Sequence, residues 1–239
     1  MKGIILAGGT GSRLYPLTQV TNKHLLPVGR KPMILHCISR LTEAGIRDIM
    51  VITGTEHMGH IVGLLGSGDS YGCELTYRVQ EKPDGIAGAI RLCKSFVGNS
   101  DFAVILGDNI FENSLRGHVD SFKNRSNDVE CSLLFKEVHD PQRFGVGRFE
   151  NGKLIELVEK PKDPPSNLAC VGFYLYSSNA FQKIEELNPS LRGELEVTDL
   201  NQWYVSRGVA SFTEQEGWWT DAGTFESYSL ANTLCGELE

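Results

Sequence analysis

Residues 2–6, KGIIL, run directly into AGGTGSRLYP at 7–16. A short apolar run that ends on a glycine cluster reads as a buried strand whose following loop lets the backbone come close to a ligand. Gly8, Gly9 and Gly11 would turn N–H groups toward phosphate oxygens, and Arg13 adds a guanidinium fork with the same preference. Two common glycine motifs fail here. A dinucleotide fingerprint, G-x-G-x-x-G, needs glycine where Gly9-Thr10-Gly11-Ser12-Arg13-Leu14 has leucine, and a P-loop needs G-K-[ST] to close the run. The loop therefore predicts polyphosphate binding of another kind, with a plain structural turn as the alternative.

The rest of the chain supports an α/β frame for that loop. Further strand-like runs stand at 47–53, 73–79 and 102–106, separated by helix-like stretches at about 32–44, 57–66 and 86–96. This alternation predicts βαβ units in a doubly wound, mostly parallel sheet. Ligands of such sheets lie beyond the carboxyl ends of the strands, which singles out the loops after residues 7 and 106. From about 129 the pattern changes to strand-like runs at 129–137, 145–150, 153–159 and 169–176, with Asn151-Gly152 marking a hairpin. That half predicts an antiparallel or mixed extension, followed by helices at 178–187, 196–207 and 224–235. The expectation is one domain over 1–239, with a nucleotide-binding half at about 1–128 and a sugar-phosphate-binding half at about 129–239.

Composition excludes several classes. The 30 acidic residues against 23 basic ones give a formal charge of −7, which argues against a nucleic-acid footprint. No apolar stretch reaches the roughly 20 residues of a membrane span, and Met1-Lys2-Gly3 leads into a strand rather than a signal peptide, so a cytoplasmic protein is expected. The six cysteines are scattered without C-x-x-C spacing and read as reduced core residues; His57 and His60 have no evident third metal ligand.

Asp108 follows the strand at 102–106, where a carboxylate can hold Mg²⁺ against substrate phosphates. Asp221 sits in the turn Trp219-Thr220-Asp221-Ala222-Gly223, and either aspartate alone could be a cap or turn residue. Glu159-Lys160 alone would be an ordinary solvated ion pair.

GGTGSRLYP followed by TNKHLLPVGRKPMI resembles the signature of the sugar-nucleotide pyrophosphorylases, a nucleotidyltransferase family, and most of all those members that join glucose 1-phosphate to dTTP. The similarity continues through VQEKPDGIA (79–87), LGDNIF (106–111), RFGVG (143–147), VEKP (158–161), RGELEVTDLN (192–201) and WWTDAGTFES (218–227). It implies a Rossmann-like nucleotidyltransferase fold. It further implies nucleotide binding by Gly8, Gly9, Thr10, Gly11, Ser12, Arg13 and Asp108, with Gln80 and Gly85 reading the thymine edge. Asn109, Gly145, Glu159, Lys160, Val171, Gly172 and Tyr174 resemble the sugar-phosphate pocket, with Glu159 on sugar hydroxyls and Lys160 on phosphate. Asp108 and Asp221 would share the catalytic Mg²⁺, and Arg13, Lys23, Lys160 and Asp108 would carry catalysis. Two positions depart from the family pattern: Gly88 stands where relatives usually have Gln, and Phe225 where they usually have His.

The implied reaction is in-line attack by a phosphate oxygen of glucose 1-phosphate on the α-phosphorus of dTTP, with pyrophosphate leaving. A uridylyltransferase is the runner-up, because a missing methyl is worth only about 1–3 kcal/mol of discrimination. A glycosyltransferase would carry Asp-x-Asp where Asp108-Asn109-Ile110 stands, and a silent sugar-nucleotide-binding regulator would not need both metal carboxylates. The family also implies a homo-oligomer, tetramer or dimer, serving dTDP-rhamnose and polysaccharide biosynthesis. Long members carry extra C-terminal helices at a feedback site, so resemblance to a short form implies weak or absent inhibition by dTDP-rhamnose at a remote site.

Overall fold

The computed structural model describes residues 1–236. The chain packs as two compact units, each discontinuous in sequence. Unit 1 comprises Met1–Pro83, Val104–Arg116 and the segment from Gly217 onward; unit 2 comprises Asp84–Ala103 and Gly117–Glu216.

Unit 1 begins with β1 (Lys2–Ala7), a small hairpin of β2 (Pro27–Val28) and β3 (Lys31–Pro32), and helix α1 (Met33–Glu43). Then come β4 (Asp48–Thr53), α2 (Met58–Leu65), β5 (Glu74–Val79), β6 (Phe102–Leu106) and β7 (Asn109–Phe111); residues 104–106 of β6 belong to this unit. β4 pairs in parallel with β1 on one side and β5 on the other, and the strand order is β6-β1-β4-β5. The four predicted strands are thus present, and the first and fourth are neighbours. Winding reverses between them, so the carboxyl ends of β1 and β6 open side by side.

α1 shows why the sequence was readable here. Met33, Ile34, Cys37, Ile38 and Leu41 are buried at helical spacing. The helix ends on Gly45 at φ 77, with Gly45 N–H donating to Thr42 O at 3.0 Å and Ile46 N–H to Leu41 O at 2.9 Å. That left-handed cap suits glycine, which has no Cβ to clash.

Unit 2 contains α3 (Ile86–Arg91), α4 (Lys94–Val97), α5 (Arg116–Lys123), β8 (Cys131–Glu137), β9 (Gly145–Glu150), β10 (Lys153–Glu159), β11 (Leu168–Tyr176), α6 (Ala180–Glu185), α7 (Val197–Ser206) and β12 (Ala210–Glu214). The single helix expected at 86–96 is two short ones, interrupted at Leu92-Cys93. Strand order is β10-β9-β11-β8-β12, antiparallel except for the parallel β8/β12 pair. Asn151 and Gly152 both take positive φ, 51 and 73, at the β9–β10 hairpin, as their dipeptide predicts. The fold class is α/β with a mixed sheet, as expected.

The chain ends in unit 1 with β13 (Trp219–Asp221) and α8 (Phe225–Gly236). β13 pairs antiparallel with β7, setting Asp221 opposite Asn109. All six cysteines are free thiols, five buried and Cys235 half-buried. Among the described residues no helix is long and apolar enough to cross a membrane.

A buried histidine gives unit 2 an acid-labile point. His118 on α5 is 7% exposed, packs against the Phe173 ring and shares a short hydrogen bond with Thr213 Oγ1. Burial pushes its pKa down to about 4. The unfolded chain, with an ordinary imidazole, then binds more protons below about pH 6.5, so His118 stabilises the fold above that pH and loses its contribution as pH falls toward 4. Urea melts of His118→Phe from pH 7 to 4.5 are expected to show a shallower loss of stability with acidification than the parent; an equal or steeper slope would refute it.

Candidate active site

The glycine loop leaves β1 and is faced by a short 3₁₀ turn, Lys23–Leu25. Asn22 fixes that turn: its Oδ1 accepts from His24 N–H at 2.9 Å and lies 2.7 Å from His24 Nδ1, while its Nδ2 donates to Ala7 O at 3.4 Å. An asparagine before a short helix is an N-cap signal. The His24 ring packs so close to Gly107 that a Cβ there would lie 2.7 Å from His24 Cδ2 and 2.9 Å from Leu6 O. Burial, then repulsion from Lys23, pushes the His24 pKa down to about 3, so the imidazole is neutral at ordinary pH.

Asp108 follows Gly107. Its Oδ2 accepts from Lys23 Nζ at 2.5 Å, with both side chains largely buried, and its Oδ1 accepts from Asn109 Nδ2 at 3.0 Å. Burial alone would raise this carboxyl, but the Lys23 charge and the two hydrogen bonds outweigh it and hold Asp108 well below the usual carboxylate range. Asn109 is oriented in turn by Trp219 Nε1, which donates to its Oδ1 at 2.9 Å.

Asp221 arrives from the other end of the chain through the β7/β13 pair, secured by Ala222 N–H donating to Asp108 O at 2.7 Å. Gly223 marks where these groups meet. A Cβ at 223 would lie 3.3 Å from Asp108 Oδ2, 3.4 Å from Arg13 Nη2 and 3.6 Å from Asp221 Oδ2. Arg13, Lys23, Asp108 and Asp221 are therefore brought together. Two carboxylates offering oxygen donors suit a hard divalent cation. Among the described residues there is no group of three or more His, Cys, Asp or Glu that could hold a metal by itself, so substrate oxygens would have to complete the shell.

A cleft beside the glycine loop is lined by Gly8, Gly9, Thr10, Asn22, Gln80 and the 54–57 turn. Gln80 hangs from the end of β5, its N–H donating to Thr53 O at 2.8 Å, and its Oε1 would be 3.1 Å from a Cβ on Gly8. An amide so placed offers both donor and acceptor to a ligand edge.

In unit 2, Gly145 and Glu159 are direct β9/β10 partners. A Cβ on Gly145 would lie 3.3 Å from Thr198 Oγ1 and 3.6 Å from Glu159 Oε2, and Thr198 donates to Glu159 Oε2 at 2.5 Å. Lys160 pairs with Glu159 Oε1 at 3.0 Å and takes φ 42, with its N–H donating to Phe144 O at 2.9 Å. Val171 and Tyr174 are buried on β11, where Cys170 lies opposite Gly145. Gly85, at φ 94, starts α3 against the Leu195 backbone. At Gly88 a side chain would enter the space of the Asp84 carboxylate, which pairs with Arg91 at 3.0 Å. Phe225 stands at the start of α8, 42% exposed.

Several residues beside these groups carried no sequence assignment. Asn22, His24 and Trp219 orient the acidic centre in unit 1. Thr198 and Arg192 surround Glu159, with Arg192 at 2.8 Å from Glu196 and 3.9 Å from Glu159. Both lie in RGELEVTDLN, a segment whose likeness was visible but whose individual side chains were not.

Comparison with known proteins identifies the family. The Nucleotidyl transferase family model matches residues 2–236. The chain is 43% identical over 231 residues to the glucose-1-phosphate thymidylyltransferase of Neisseria meningitidis, covering 95% of this chain and 80% of that protein. It is 44% identical over 236 residues to the low-salt glycan biosynthesis nucleotidyltransferase of Haloferax volcanii, covering 98% of this chain and 66% of that one. A solved Bacillus anthracis structure, provisionally named a glucose-1-phosphate thymidylyltransferase, superposes with TM-score 0.95 at 56% identity, over 100% of this chain and 96% of the other. A UDP-glucose pyrophosphorylase bound to UDP-glucose superposes with TM-score 0.86 at 26% identity, over 100% and 99%.

Gly107 should tolerate no side chain without rearrangement of its neighbours. Gly107→Ala forces the His24 ring or the Leu6 carbonyl to shift and is expected to cost about 1–3 kcal/mol. Chemical denaturation of the variant checks this, and a midpoint equal to the parent's would contradict it.

Proposed function

The chain belongs to the nucleotidyl transferase family, and on that premise we propose that it transfers a deoxythymidylyl group from dTTP to glucose 1-phosphate, giving dTDP-glucose and pyrophosphate. The observation that carries the reading is the meeting of Arg13, Asp108 and Asp221 around Gly223, beside Lys23, at the carboxyl ends of β1 and β6. The names of the Neisseria and Bacillus proteins support the choice of substrates.

A phosphate oxygen of glucose 1-phosphate forms the new bond to the α-phosphorus. The bond from that phosphorus to the bridging oxygen breaks, and pyrophosphate leaves with the electron pair. The nucleophile is already an anion, so the protein's task is alignment and charge neutralisation. We assign the N–H groups of the loop from Gly8 to Ser12 to the triphosphate, with Arg13 and Lys23 countering its charge. Gln80 and Gly85 read the base edge; Lys160 holds the sugar phosphate, and Glu159, with Asn109, Gly145, Val171, Gly172 and Tyr174, the sugar. Asp108 and Asp221 would hold Mg²⁺, which when bound screens the triphosphate from the attacking phosphate. We take the chain to act as one nucleotidyltransferase domain, in a homo-oligomer, supplying nucleotide sugars in the cytoplasm.

The UDP-glucose pyrophosphorylase likeness keeps UTP as the second reading. A matrix of triphosphates against sugar 1-phosphates, scored by pyrophosphate release, tests both. dTTP with glucose 1-phosphate is expected to give the highest kcat/KM with UTP second, and CTP or ATP as best donor would overturn the base assignment. Asp108→Asn and Asp221→Asn are nearly isosteric and should each cost on the order of 10²–10³ in kcat. If Asp221→Asn melted like the parent and kept more than about a tenth of its activity at limiting magnesium, Asp221 would be withdrawn as a ligand.

A further inference from the structure

Resting on the reading of Asp108 as a metal ligand, we propose that Lys23 is a gate on the metal site: its ammonium competes with the cation for Asp108 Oδ2, and the triphosphate opens the site by drawing Lys23 away.

The two oxygens of Asp108 are not equivalent. Oδ1 accepts from Asn109, which Trp219 holds in place, so that oxygen is engaged by a fixed donor. Oδ2 is the oxygen near the meeting point at Gly223, 3.3 Å from a Cβ there, with Asp221 Oδ2 3.6 Å from the same point. Oδ2 is therefore the Asp108 oxygen best placed for a cation shared by the two aspartates. That oxygen is the one Lys23 Nζ already contacts at 2.5 Å. An ammonium and a divalent ion cannot both sit against one carboxylate oxygen in a largely buried position without strong like-charge repulsion.

Lys23 is also placed to leave. A Cβ on Gly9 would lie 3.5 Å from Lys23 Cε and 3.6 Å from Nζ, so the ammonium already runs alongside the glycine loop. Its backbone is tied down by the Asn22 cap and by Leu26 N–H donating to Lys23 O at 3.1 Å. Only the side chain has to move, and rotation about its last bonds exchanges a carboxylate oxygen for a phosphate oxygen. Arg13 and Lys23 balance Asp108 and Asp221 in formal charge. A divalent ion entering alone would leave that centre with uncompensated positive charge, whereas one entering with a triphosphate would not. Nucleotide and metal then strengthen each other's binding by the same factor, as linkage requires.

Mn²⁺ is the probe, its binding followed by loss of the free-ion electron paramagnetic resonance signal. Parent, Lys23→Met and Lys23→Gln proteins are titrated without nucleotide and with the α,β-methylene analogue of dTTP. Without nucleotide, both variants are expected to bind Mn²⁺ about tenfold or more tightly than the parent, because a competing charge is gone. The analogue should raise Mn²⁺ affinity strongly in the parent and far less in the variants. A Lys23 that merely props the site open predicts the reverse, weaker Mn²⁺ binding in both conditions, and that result or unchanged affinity without nucleotide would overturn the proposal. Where a variant is poorly folded, the rise in Tm on adding Mn²⁺ is the readout: a larger rise than the parent's supports the gate, and an equal or smaller one refutes it. Asp108→Asn separates the two readings. If it leaves Mn²⁺ binding with the analogue unchanged, the metal assignment itself fails; if it weakens that binding while the Lys23 variants do not tighten theirs, only the gate fails.

Discussion

A carboxylate held largely out of water costs several kcal/mol unless a countercharge and hydrogen bonds meet it, and Asp108 is such a group. Much of unit 1 is arranged to meet that requirement. Lys23 supplies the charge and Asn109 the second hydrogen bond. Each supporter is itself supported: Asn22 caps the turn that carries Lys23, and Trp219 fixes Asn109. Arg40 on α1 clamps the strand that follows, donating to Phe111 O at 2.8 and 3.0 Å and to Glu112 O at 2.6 Å. His24 fills the space over Gly107 and, being neutral, adds no second positive charge to compete with Lys23. Asp221 enters this setting through the antiparallel pairing of β7 and β13, which sets it opposite Asn109.

The readable parts of this fold were those with local signals. Apolar runs marked β1, β4, β5 and β6, helical spacing marked α1, Gly45 ended it, and Asn151-Gly152 marked the β9–β10 turn. The unreadable parts were those made by distant partners. β7 and β13 have three residues each and sit far apart in the chain, so neither carries a period and neither predicts the other. The break between α3 and α4 falls at Leu92-Cys93, where no proline or glycine announces it. β12 finds its place by pairing with β8 and lay outside the strand-like runs.

The same division holds for the candidate site. Gly8, Gly9, Gly11, Arg13 and Asp108 were legible because strand ends in an α/β sheet are where ligands collect, and these residues follow strands. The roles given to Glu159 and Lys160 came from resemblance, since such a pair on its own is an ordinary ion pair, and an ion pair is what their side chains make. Thr198, Arg192 and Trp219 act on their neighbours only once the chain has folded, and single-residue reasoning has no handle on them. What surrounds Gly88 was likewise invisible, because the Asp84 carboxylate beside it comes into view only in the fold.

A chain of net charge −7 that handles polyanions must attract them at contact, because solvent screens charge beyond roughly 8–10 Å. Both clusters use cations that are already engaged with carboxylates. Lys23 lies on Asp108, Lys160 on Glu159, and Arg192 reaches Glu194, Glu196 and Glu159. Such pairing weakens the pull on any passing phosphate and fixes where the cation waits. An extended nucleic acid backbone, which needs many free cations in a row, gains little from such a surface. A compact triphosphate gains more, since it can exchange one carboxylate for one phosphate oxygen at each point. Lysine suits that exchange, being a point charge on a flexible stem, whereas the planar guanidinium of Arg13 suits a contact whose geometry stays fixed. On the proposed reading, Lys23 and Lys160 would exchange a carboxylate for a phosphate oxygen while Arg13 kept a fixed contact.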